Sequence, residues 1–110
     1  MDDVSTQLRK GSLELAVLAL LANQPRYGVE IVDALAARPG LEATGGTIYP
    51  LLTRLKNSGL VETTWRESPV GPPRKYYALT DAGRVQLSVQ REAWVKLSTA
   101  LAILLKEVDR

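Results

Sequence analysis

Residues 45–60, Gly45-Gly46-Thr47-Ile48-Tyr49-Pro50-Leu51-Leu52-Thr53-Arg54-Leu55-Lys56-Asn57-Ser58-Gly59-Leu60, decide the fold. They read as one short amphipathic helix, stopped by Gly59 and followed directly by a strand. Ile48, Leu51, Leu52 and Leu55 recur at helical spacing and can bury one side, while Thr47, Tyr49, Thr53, Arg54 and Lys56 crowd the other. That outer set combines hydroxyls and cations with no acid, a pattern suited to lying along a polyanion. Thr44 and Thr47 can each accept from the first free amides of this helix. A Thr47 cap leaves Pro50 in the first turn. The Thr44 cap, favoured here, puts Pro50 in the interior, where it removes one hydrogen bond and bends the helix mildly.

Downstream, Val61, Thr63 and Trp65, then Tyr76, Tyr77 and Leu79, are β-formers separated by Ser-Pro-Val-Gly-Pro-Pro at 68–73. The expectation is a two-stranded hairpin with a stiff tip. Prolines reduce the disorder surrendered on binding, so Arg74 and Lys75 stand beside the tip at modest entropic cost. Strand alternation sends them to opposite faces and likewise splits Tyr76 from Tyr77, one ring packing on Leu55 and Leu60. Thr80 then offers an N-cap, and from Asp81 to about Val108 there is no proline. One long helix is expected, roughly 40 Å at about 1.5 Å per residue.

Upstream, residues 5–22 form a first helical candidate whose second half is apolar nearly all round. Tyr27–Ala37 follow as a second, with Val29, Ile31, Val32 and Leu35 facing inward. Three short helices, a hairpin and a long helix make a mainly α chain with a small β-hairpin: a winged helix-turn-helix over residues 1–80, then a C-terminal dimerisation helix over 81–110. In that arrangement the third helix enters the major groove and the hairpin touches the neighbouring backbone or minor groove.

Composition narrows the function further. The 110 residues include neither Cys nor His, which removes disulfides, thiolate and imidazole metal sites and imidazole bases. No carboxylate, Lys, Tyr or Ser/Thr pair stands at a spacing that marks an acid/base or nucleophile site, so no enzyme, cofactor or metal is expected. The acidic start, Met1-Asp2-Asp3-Val4, and the short apolar run 13–22 suit neither a secretory signal nor a membrane span, and a cytoplasmic protein is expected. Net charge is +2, but residues 43–79 carry five cations against two acids, a local +3.

The residues expected to meet DNA are therefore Thr44, Thr47, Tyr49, Thr53, Arg54 and Lys56 on or beside the third helix, with Arg74 and Lys75 on the hairpin. Gly45 and Gly46 either let backbone amides approach a phosphate or form the turn only, and Tyr49 either donates its phenol or caps the core. Along the last helix, Leu87, Trp94, Leu97, Leu101, Leu104 and Val108 recur at intervals of three, four or seven, longer than three small helices can cover. They are expected to pair with a second copy. Trp94, with Leu97 beside it, either lines a slot for a planar apolar ligand or fills the interface. A winged helix used only as a protein-interaction module would instead expose an apolar third helix.

Three blocks carry a resemblance: Leu18-Ala19-Leu20-Leu21 to Pro25 with Gly28 and Ile31; Gly46-Thr47-Ile48-Tyr49-Pro50-Leu51-Leu52 with Arg54-Leu55 and Gly59-Leu60-Val61; and Gly71-Pro72-Pro73-Arg74-Lys75-Tyr76-Tyr77 with Leu79-Thr80 and Gly83. Over about residues 11–84 the chain resembles the PadR family of bacterial transcriptional regulators. The resemblance implies a winged-helix dimer on a palindromic operator, usually repressing and released by a small molecule, often phenolic or planar and hydrophobic. With one helix after the wing, the chain looks like the short subfamily, whose crossing C-terminal helices can leave an apolar pore with a tryptophan on its wall, where Trp94 stands. One departure is Tyr27-Gly28-Val29, where the family typically shows His-Gly-Tyr.

Overall fold

A computed structural model describes residues 11–109. The acidic start at residues 1–4, and residues 5–10 of the first expected helix, lie outside the described residues. The described elements are helix α1 (Leu13–Leu20), strand β1 (Arg26–Tyr27), helix α2 (Gly28–Ala36), helix α3 (Gly45–Asn57), strands β2 (Val61–Arg66) and β3 (Arg74–Leu79), and helix α4 (Asp81–Glu107). Three short helices, a small antiparallel sheet and a long helix make a winged-helix architecture.

α3 forms where its pattern requires. Thr44 is its N-cap in extended conformation, its carbonyl accepting from the amides of Thr47 and Ile48 at 3.0 Å, although its hydroxyl makes no cap bond. The early start leaves Pro50 inside the helix. Ile48, Leu51, Leu52 and Leu55 are all buried, meeting Val17, Leu18 and Leu21 from the α1 segment, Ile31 and Leu35 from α2, and Val61, Tyr77 and Leu79 from the sheet. At the other end Gly59 takes φ +77°, which costs an L side chain dearly. Its amide then donates to the Lys56 carbonyl and that of Leu60 to the Leu55 carbonyl, both at 3.0 Å. This pair of bonds closes the helix in a Schellman turn and aims the chain straight into β2.

The sheet corrects the sequence reading. It has three strands in the order β1-β3-β2, because Arg26 and Tyr27 pair antiparallel with Tyr77 and Tyr76. A two-residue strand is too short to show alternation, and its partner lies fifty residues away, so no local pattern marks it. Val29 is a second correction. It is exposed rather than inward-facing, since two residues on a helix are separated by about 200° and Val29 cannot share the face of Ile31.

α4 departs from a tight corner. The Thr80 hydroxyl accepts from the Gly83 amide at 3.0 Å and donates to the Gly59 carbonyl at 2.6 Å, tying the α3 turn to the first turn of α4. A methyl on Gly83 would lie 2.0 Å from the Leu60 carbonyl oxygen, so the helix can approach this closely only with glycine there. Two arginines satisfy carbonyls at the end of α1: Arg26 Nε donates to Leu20 at 2.9 Å and Arg84 Nη1 to Ala22 at 3.0 Å. Leu87 packs on this core within its own chain. Gln90 still reaches Glu14 of α1, and from Arg91 to Asp109 every residue except Ser98 is exposed, though Trp94 and Leu101 keep only 47 % exposure each.

Candidate nucleic-acid interface

At about 100° per residue, Gly46, Pro50, Thr53 and Asn57 form the ridge of α3 opposite its buried row. All four are exposed. Thr47 and Arg54 turn toward one flank of that ridge, Tyr49 and Lys56 toward the other. The residues expected from the sequence thus share the outer half of α3, but its two cations diverge. Pro50 and Asn57, absent from that expectation, stand on the ridge itself. A helical projection of the same sixteen residues finds them, and the asparagine amide is the side chain suited to an adenine edge.

Tyr49 is held by glycines. Its ring lies against Gly28 of α2 and Gly45 of its own helix, where an added methyl would come within 2.5 and 3.0 Å of ring carbons. The residue as a whole keeps 41 % exposure. Gly46 has no such steric duty, its nearest would-be contact being the Thr44 hydroxyl at 3.6 Å. Thr53, exposed, donates its hydroxyl to the Tyr49 carbonyl at 3.1 Å.

Arg54 makes a contact that local reading did not anticipate. Its Nη2 lies 3.1 Å from Oε1 of Glu14 on α1, and Gln90 of α4 donates to the other oxygen of the same carboxylate. The Arg54 side chain nonetheless stays 65 % exposed. Glu14, Leu15, Arg54, Gln90, Trp94 and Leu97 line an open cleft of about 400 Å³ between α1 and α4. Trp94 and Leu97, singled out from the sequence, therefore share a wall. Glu14 had no signal in the sequence, standing 40 residues from Arg54 and 76 from Gln90.

In the sheet, Val61, Thr63, Trp65, Lys75, Tyr77 and Leu79 share the core-side face, and Glu62, Thr64, Arg66, Arg74, Tyr76 and Tyr27 the outer one. Arg74 and Lys75 do fall on opposite faces. Lys75 Nζ sits 5.7 Å from the centroid of Tyr77, and Arg74 Cζ 4.5 Å from that of Tyr27. Tyr77 is the buried ring of its pair; burial, and secondarily the Tyr49 phenol, push its hydroxyl above the ordinary tyrosine range. At the tip, Gly71 adopts φ +93°.

From the cleft wall onward, Trp94, Leu97, Leu101 and Leu104 of α4 and its C-cap Val108 are all exposed, at alternating steps of three and four residues. No helix among the described residues is long and apolar enough to cross a membrane.

Comparison with known proteins agrees with this architecture. Residues 17–89 match the model of the transcriptional regulator PadR-like family. The chain is similar to a PadR-like transcriptional regulator of Bacillus cereus, at 37 % identity and a TM-score of 0.83, over 90 % of this chain and 96 % of that one. A transcriptional regulator of Mycobacterium tuberculosis is 30 % identical over 84 % of each chain. Bacillus subtilis PadR in complex with operator DNA aligns at 28 % identity and a TM-score of 0.66, over 71 % of this chain and 46 % of that one.

Proposed function

The chain belongs to the PadR-like family of transcriptional regulators, and from that membership and the geometry of α3 we propose that it is a cytoplasmic homodimer binding double-stranded DNA at a palindromic operator as a repressor. The observation that carries the reading is the outer half of α3, where Thr47, Tyr49, Thr53, Arg54, Lys56 and Asn57 are exposed and no acid intervenes. Such a helix offers hydroxyl and cationic donors to phosphates and an amide to a base edge. Arg74 and Lys75 on the wing add sequence-independent attraction to the flanking backbone. A protein-interaction module would need an apolar α3 ridge, and this one carries Gly46, Pro50, Thr53 and Asn57.

Dimerisation is supported by the uncovered row Trp94, Leu97, Leu101, Leu104 and Val108, whose spacing is that of a helix packing on a helix. A two-fold pair would bring two copies of α3 to one face of a duplex, and successive major grooves lie about 34 Å apart. Hence a palindromic operator. The cleft walled by Trp94 and Leu97 suits a planar hydrophobic or phenolic effector whose binding would release the DNA.

The test is a fluorescence-anisotropy titration with duplex DNA from the region upstream of its own gene, at two salt concentrations. Salt-sensitive binding, weakened by Arg54→Ala and by Arg74→Ala, is expected; absent or salt-indifferent binding would overturn the reading. Sedimentation should give a dimer that the double change Leu101→Glu, Leu104→Glu converts to a monomer. Planar compounds should quench tryptophan emission less in Trp94→Phe, and equal quenching would remove the effector from that cleft.

A further inference from the structure

Arg66 and Arg74 are direct cross-strand partners on the outer face of the sheet. Like charges placed opposite each other in an antiparallel pair oppose the pairing, and a local conflict of this kind is what functional sites carry. Among the described residues neither guanidinium has a carboxylate within ion-pair distance, although Glu62 shares that face and Glu67 follows Arg66. Instead each is laid on a ring. Arg66 Cζ lies 4.4 Å from the centroid of Tyr76 and Arg74 Cζ 4.5 Å from that of Tyr27, while the two rings meet edge to face at 5.4 Å and 65°.

Stacking on a ring fixes the plane of a guanidinium yet leaves its N–H edge free for two parallel bonds to an oxyanion. Two arginines are thus each seated over a ring at the end of the sheet nearest the wing tip, with no carboxylate among the described residues to neutralise them. The site also accounts for Tyr27, the departure at the second helix. In β1 it pairs with Tyr76, and its ring seats Arg74.

We infer that Arg66 and Arg74 form a clamp for the phosphodiester backbone of the duplex bound by α3, with Tyr27 and Tyr76 as its positioning residues. Arg66 thereby becomes a wing contact that motif reading did not include. The inference rests on the DNA-binding reading above and extends it from the helix and wing tip to the outer face of the sheet.

The experiment is the anisotropy titration at several salt concentrations with Arg66→Ala, Arg66→Lys, Tyr76→Leu and the double variant Arg66→Ala, Tyr76→Leu, each first shown by melting and sedimentation to be folded in the wild-type oligomeric state. Arg66→Ala should weaken binding about tenfold near 0.1 M salt and lower the log–log salt slope by about 0.9 for each protomer on the duplex. Arg66→Lys, which keeps the charge but loses the planar stack, should recover only part of that. Tyr76→Leu removes no charge and should still weaken binding about threefold, but should cost nothing further once Arg66 is Ala, the non-additivity of a residue acting through its neighbour. Wild-type affinity and slope in a folded Arg66→Ala protein overturn the clamp alone. Additive effects of Tyr76→Leu and Arg66→Ala overturn the positioning role. If the wild-type protein shows no salt-dependent DNA binding, the clamp and the DNA-binding reading fall together.

Discussion

Replacing Gly83 by alanine sets two known effects against each other, and the geometry decides between them. Alanine in a helix gains up to about 1 kcal/mol over glycine. Here, however, the new methyl would lie 2.0 Å from the Leu60 carbonyl oxygen, 3.0 Å from a Leu79 methyl and 3.1 Å from the Leu60 carbonyl carbon. Ordinary contact needs more than an additional ångström. The carbonyl cannot supply it freely, since it accepts from the Thr80 amide at 3.2 Å and its residue is held by the bond from Leu60 N to the Leu55 carbonyl. The helix cannot easily retreat either, because Gly83 N is bound to the Thr80 hydroxyl at 3.0 Å. Overpacking against backbone costs about 1–3 kcal/mol or more, and breaking the Thr80 links adds about 1 kcal/mol. Less the propensity gain of up to about 1 kcal/mol, the net expectation is a loss of roughly 1–3 kcal/mol, a fall in Tm of the order of 10 °C for a domain of this size. Melts must compare equal protomer concentrations, since the proposed dimerisation would raise Tm by mass action. Two companion substitutions calibrate the result. Gly28→Ala meets the Tyr49 ring at 2.5 Å, but that ring is partly exposed and can swing away, so stability should fall by less than about 1 kcal/mol while DNA affinity drops. Gly46→Ala meets nothing closer than 3.6 Å and should be neutral or stabilising by up to about 1 kcal/mol. A Gly83→Ala protein melting at or above wild type would refute the close-approach argument.

Other outcomes follow from individual contacts. Thr80→Ala removes both the cap bond to Gly83 N and the bond to the Gly59 carbonyl, and chemical denaturation should register a loss of about 1–2 kcal/mol. Glu14→Gln should leave stability nearly unchanged, because its partner Arg54 is largely exposed and such pairs contribute little. The same change frees Arg54, so DNA affinity should rise a few-fold with a steeper salt dependence; weaker binding would show that Glu14 orients Arg54 rather than competing for it. Burial holds the Tyr77 phenol above its ordinary value of 10.0, so the folded chain keeps a proton that the unfolded chain releases first. The stability linked to that proton is fully present below about pH 10 and is lost as pH rises through the raised folded value. Tyr77→Phe should flatten this alkaline decline in melts against pH, and an unchanged decline would assign it to other groups.

What the sequence discloses depends on whether a contact leaves a local trace. The buried row of α3, its stop at Gly59, the strands at 61–66 and 74–79 and the long helix from Asp81 all write a period or a punctuation mark into consecutive residues. β1 writes neither. Arg26 and Tyr27 become a strand only because β3 passes alongside. Gly83 resembles an ordinary weak point near a helix start until the Leu60 carbonyl is found beneath it.

The candidate site divides along the same line. A helical projection tells which residues of α3 face away from the core, but it is blind to what stands on each flank. Arg54 and Lys56 look equivalent in sequence, two cations within about a turn and a half of Gly59. In the fold, Arg54 faces Glu14 and the root of α4, whereas Lys56 is exposed without an ion-pair partner among the described residues. If α3 meets DNA as proposed, their contributions should therefore differ in kind. On the proposed reading Lys56 would meet a phosphate at no cost beyond its own ordering, while Arg54 would first have to exchange a carboxylate that Gln90 also holds. Because Gln90 lies one turn from Trp94 on α4, and both line the cleft with Arg54, the strength of that exchange is set where α4 leaves the body. An effector in the cleft, as proposed above, would act on Arg54 before it acted on Lys56.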